Sequence, residues 1–146
     1  MLRLLSALAV VLALAACGKS EQDRYRDDYP SIDRDLAALG ADVEAGLRSA
    51  GQSSDAGLAD RFAGYARRLD ALRDRLDDLQ PPSSVAAAHA RLTQSATSTE
   101  RALADLVSAA RAGDAVAARA AATRLVRSGQ DLDSARGKVA NSDLFH

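Results

Sequence analysis

Few residues of this 146-residue chain have the chemistry to transform a substrate or to hold a metal. His89 is the one histidine inside the chain, the other being the terminal His146. An imidazole serves as a general base or as a haem or metal ligand. A metal site needs three or four ligands, however, and no second internal histidine, usable thiolate or Glu-x-x-His pair accompanies His89. The pattern predicts a partly buried histidine hydrogen-bonded within its own layer. Between Arg67 and Asp78 runs a dense set of carboxylates, but Asp70, Arg73 and Asp77 stand three and four residues apart. That spacing makes surface ion pairs on a helix, whereas calcium wants oxygens converging from a loop. Tyr65 with Ser95, Thr97 and Thr99 is the one place where polar groups gather on inward-facing positions. Either they line a pocket for a small ligand, or the hydroxyls bond to their own helix backbone, which is the commoner fate. No glycine-rich phosphate loop, nucleophile elbow or Ser-His-Asp grouping can be assembled. The expectation is a chain with no catalytic residue, no cofactor and no metal.

Cys17 is the only cysteine, which excludes an intramolecular disulfide and a multi-cysteine metal site. Its surroundings give it another role. Met1-Leu2-Arg3 is a minimal positive start, residues 4–14 are apolar, and Ala15-Ala16 are small. An apolar run of about eleven residues falls short of the roughly twenty that a spanning helix needs, so it reads as a leader. Leu14-Ala15-Ala16-Cys17 followed by Gly18 resembles the lipobox of bacterial lipoproteins. The resemblance implies cleavage between Ala16 and Cys17, a diacylglyceryl thioether on Cys17 and acylation of the new N-terminus. One acyl chain holds a protein marginally, and two or more hold it stably. In Gram-negative members of that class, an aspartate after the cysteine favours the inner membrane. Gly18 therefore implies the periplasmic face of the outer membrane, or the outer face of the cell membrane in a host with only one.

Basic and acidic residues are interspersed at a net charge of −1, so no cationic field for nucleic acid exists. Five aromatic rings and no tryptophan leave little for stacking bases or sugars. A core of leucine and alanine suits closely packed helices.

The elements that must place these residues follow from spacing. Tyr25, Tyr29, Ile32, Leu36, Leu39, Val43 and Leu47 step by three and four, one stripe of a helix. Pro30 interrupts it, so regular helix is expected over about residues 30–50, behind a lipidated cysteine and polar tether over 17–29, the alternative being a kinked helical extension upstream of the proline. Gly51 is expected to close this helix, and a serine of 53–54 to cap the next. The second helix carries Leu58, Phe62, Tyr65, Leu69, Leu72, Leu76 and Leu79, a regular heptad ended by Pro81-Pro82. Ser83 or Ser84 is expected to cap the third, whose stripe is Val85, His89, Leu92, Ala96, Thr99, Leu103, Leu106 and Ala110. Gly113-Asp114 reads as a tight reversal into a fourth helix bearing Ala118, Ala122, Leu125, Gly129, Leu132 and Val139. There alanine and glycine are expected to let a neighbouring backbone come close. Residues 141–146 form a tail, loose unless Leu144 and Phe145 fold back as a lid.

Short connections between four helices predict an all-α, antiparallel up-down-up-down bundle over residues 30–140, after a signal peptide at 1–16. The alternative is three helices with one long arm bent at Gly113. In the bundle, Tyr29, Leu76, His89 and Val139 share a layer near the anchored end. Tyr65 meets residues 95–99 at mid-height, and the Gly51 and Gly113 loops point away. Leu76-Asp77-Asp78-Leu79-Gln80-Pro81-Pro82, His89, Leu92 and Ala110-Arg111-Ala112-Gly113-Asp114 are similar to a pattern in small uncharacterised helical bacterial lipoproteins, a resemblance that implies fold and no activity. The functional expectation is a lipid-anchored interaction or scaffolding module that contacts an envelope protein. The alternative is an envelope binding protein for a small apolar or metal ligand.

Overall fold

A computed structural model describes residues 20–146. The lipobox and Cys17 lie outside the described residues. Four helices make up almost all of this part: α1 (Glu21–Arg48), α2 (Asp55–Asp77), α3 (Ala86–Arg111) and α4 (Ala115–Ala140), with a 3-10 turn at Ala50–Gln52. Each packs on its neighbour in sequence, and α1 closes the ring against α4, giving the up-down-up-down bundle. The most extensive backbone contact is between α3 and α4, and the α1/α4 seam has the least of the four adjacent pairs. None of the described helices is long and apolar enough to cross a membrane.

Local chemistry explains most boundaries. Ser20 opens α1 by accepting a hydrogen bond from the Asp23 amide at 3.1 Å, and Ser54 does the same for α2 through Gly57. Gly113 has φ +64, the left-handed conformation that glycine adopts without strain, and the Asp114 amide bonds back to the Ala109 carbonyl. Asp114 Oδ1 then accepts from the Val116 and Ala117 amides, so the chain reverses fully and no bent arm forms.

Three expected boundaries are corrected. Helix begins at Glu21, so residues 21–29 belong to the bundle and not to a tether; Tyr25 and Tyr29 are each 1% exposed. Pro30 sits inside α1, facing solvent, where water can serve the Arg26 carbonyl that loses its N–H partner. Gly51 does not take a left-handed closing conformation: the Ser49 amide donates to the Ala45 carbonyl and its hydroxyl to the Gly46 carbonyl, and the 3-10 turn follows. Neither Ser83 nor Ser84 caps α3: a turn from the Pro82 carbonyl to the Val85 amide carries the chain past them, and Val85 holds the cap position without a side-chain bond.

Burial follows the stripes closely. All eight expected positions of α3 are buried, and Ala102, Val107 and Ala109 join them because α3 packs on two neighbours. In α4, Leu125, Leu132 and Val139 are buried as expected, with Ala121 and Ala135 beside them. The tail folds back: Leu144 is 3% exposed, Phe145 lies 5.6 Å from the Tyr29 ring centre, and Arg26 Nε donates to the Leu144 carbonyl at 3.0 Å.

Candidate functional site

His89 sits in a closed aromatic layer at the end of the bundle where α1 begins. Its Nδ1 lies 2.9 Å from the Tyr25 hydroxyl, and its ring stands edge-on to the Tyr25 ring at 5.6 Å. Tyr25 stacks on Tyr29 at 5.4 Å, and Phe145 covers both. A neutral imidazole can accept from the Tyr25 hydroxyl at Nδ1. Tyr29, Leu76, His89 and Val139 are all buried, and Tyr25 joins Tyr29 and His89 through its ring and hydroxyl. That partner was missed because residues before Pro30 read as tether. Among the described residues no group of three His, Cys, Asp or Glu could hold a metal.

Burial pushes the His89 pKa below its ordinary value, with smaller raising influences from the Leu76 carbonyl and the Asp77 charge. The unfolded chain takes up this proton near pH ~6.5 and the folded chain resists it, so stability rises with pH across that window and is lost as pH falls below it. Urea unfolding should therefore give a lower midpoint at about pH 5.5 than at about pH 7.5, and His89→Gln should flatten the difference. An equal pH response in the variant would assign the effect to other groups.

Tyr65, Ser95 and Thr99 are not brought into one pocket. Tyr65 packs edge-on to Phe62 at 5.3 Å and lies over Gly46, where a Cβ would stand 3.0 Å from Tyr65 Cε2. Thr99 donates to the Ser95 carbonyl at 3.0 Å and Thr97 to the Thr93 carbonyl at 3.1 Å, the helix-backbone alternative. The carboxylate run makes surface ion pairs: Arg73 lies 2.7 Å from Asp70, 3.8 Å from Asp77 and 3.1 Å from Glu100 of α3.

An apolar opening lies instead along the α1/α4 seam. A half-enclosed groove of about 340 Å³ runs there, with Leu36 and Val43 from α1, Leu69 from α2, Leu103 from α3, and Leu125 and Leu132 from α4. Thr99 is the only expected site residue that lines it. At one end the seam is clasped by Arg136, whose Nε donates to Asp33 Oδ1 at 2.9 Å and whose guanidinium also pairs with Asp133. That clasp fixes the register. Seven residues along α1 from Asp33 comes Gly40, and seven back along α4 from Arg136 comes Gly129; two turns return each to the same face, so the glycines oppose one another. A Cβ built at either position meets nothing within 4 Å. The expected close approach of a backbone to Gly129 is therefore corrected: the missing side chains leave a gap, and the clasp holds the helices across it. Sequence gave a weak signal, since a glycine in mid-helix costs up to about 1 kcal/mol against alanine, but not which partner it would face.

No family model, curated protein or solved structure matches the chain.

Proposed function

We propose that this chain is a lipid-anchored, non-catalytic binding module of the cell envelope, held at a membrane through Cys17 and working through the α1/α4 seam. The observation that carries the binding half is the leucine-lined groove at Gly40 and Gly129, whose size falls in the range of roughly 300–1,000 Å³ typical of small-molecule sites. This favours a small apolar ligand over a scaffolding contact made by the distal loops. The anchoring half rests on the lipobox resemblance. With Cys17 three residues before Ser20, the aromatic layer and the tail lie beside the bilayer, and the groove opens sideways above them. A contact with another envelope protein remains the second reading, favoured by Val116, which is 76% exposed beside the outward-pointing Gly113 turn.

Two measurements test the two halves. Cys17→Ser should release the protein from the membrane fraction and abolish its labelling by radioactive palmitate; a variant that stays membrane-bound and labelled defeats the anchor. For the groove, the full chain carrying Cys17→Ser, handled without detergent, should enhance the fluorescence of N-phenyl-1-naphthylamine, and Gly129→Leu should suppress that enhancement. Dark probe with the unplugged protein, or equal brightness with the plugged one, defeats the binding half.

A further inference from the structure

We infer that the α1/α4 groove is shaped for one linear hydrocarbon chain of about eleven carbons bearing an uncharged polar end. The inference rests on the binding reading above and gives it a ligand class. Four observations support it. First, the volume: about 340 Å³, at about the 30 Å³ share of one water-sized group, holds roughly eleven methylenes. Second, the shape. The groove follows α1 from Leu36 to Leu47, about 17 Å of helix by its rise per residue, so the space is long and narrow. A fused-ring molecule of the same carbon number would fill its width and leave its length empty.

Third, the occupant is small. The groove presents far less surface than the ~800 Å² per partner of a stable protein interface, so a protein or a second copy of this chain would need contacts elsewhere. Leu36, Leu69, Leu103 and Leu125 are already closed to water, none more than 2% exposed, so an occupant lies above them between Val43 and the half-exposed Val126. Fourth, the rim offers no free counter-charge. Arg136 is held between Asp33 and Asp133, and Glu44 lies 3.5 Å from Arg48. An ionised headgroup would have to displace one of these pairs, whereas a hydroxyl can share the Gln130 amide at the edge.

The test titrates linear 1-alkanols, from about six to sixteen carbons, into the full chain carrying Cys17→Ser in detergent-free buffer, with binding followed by the methyl NMR signals of Leu36, Leu125 and Leu132. Each added carbon should tighten Kd about fourfold, the equivalent of the ~0.8 kcal/mol of a buried methylene, until the series breaks near eleven carbons and goes flat. Gly129→Leu, whose side chain enters open space, should weaken the best binder at least tenfold while leaving the helical circular dichroism unchanged. Gly40→Leu does the same from the opposite wall, should the first variant fail to fold. A series with no break, or 1-adamantanol binding as tightly as 1-decanol, overturns the linear-chain inference while leaving an apolar site standing. Absence of any shift at the groove methyls, with N-phenyl-1-naphthylamine also dark, overturns both.

Discussion

Replacing Phe62 with alanine should destabilise the bundle by about 3–5 kcal/mol, a large part of the roughly 5–15 kcal/mol that holds a domain of this kind together. Phe62 is 0% exposed and packs against Gly46 of α1. Its ring meets Tyr65 edge-on, and its Cζ would lie 3.3 Å from a Cβ built on Gly46. The two rings thus occupy the space that the glycine leaves on α1. Truncation removes the hydrophobic transfer energy of a ring and also leaves a cavity that Tyr65 cannot fill without leaving Gly46. Urea unfolding followed by circular dichroism reads the loss directly. A change below about 1 kcal/mol would mean that the site collapses freely, and that Gly46 is not matched to these rings.

Removing residues 141–146 should cost about 2–4 kcal/mol and lower the melting temperature by on the order of 10 °C. Leu144 alone is a fully buried aliphatic side chain, Phe145 shields Tyr25 and Tyr29, and the Arg26 bond to the Leu144 carbonyl ties the tail to α1. Losing them opens to water a layer in which burial now raises the pKa of both tyrosines well above its ordinary value, Tyr29 further under the influence of Asp33. The truncated chain should therefore show its tyrosines titrating closer to pH ~10 by ultraviolet absorbance. An unchanged melting point together with an unchanged titration would mean that the tail contributes nothing to this layer.

The two proposed properties of the chain sit at different places on it. The anchor belongs to the first residues and the groove to the seam, so Cys17→Ser and Gly129→Leu should act independently. A single variant that impaired both attachment and binding would argue that the occupant of the groove and the anchor are coupled.

By itself the sequence determined the four helices, their order and their inward faces, because three-and-four spacing of apolar side chains is a local property that any long helix must turn toward a core. It also placed His89 inside, set the full reversal at Gly113-Asp114, and reduced the carboxylate run to ion pairs, since those follow from neighbours within one turn. Tertiary structure alone decided what faces what. Tyr25 reaches His89 across 64 residues, and only the packed layer makes a helix of the segment before Pro30. Tyr65 lies over Gly46 on α1, while Thr99 bonds to its own helix backbone. Above all, Gly129 reads as a place for close backbone approach and Gly40 carries no expectation of its own; the Arg136 clasp brings them to one height and turns two missing side chains into a groove. Spacing along a helix fixes which face a residue occupies, but the height at which two helices meet depends on every contact between them, and no local pattern carries that sum.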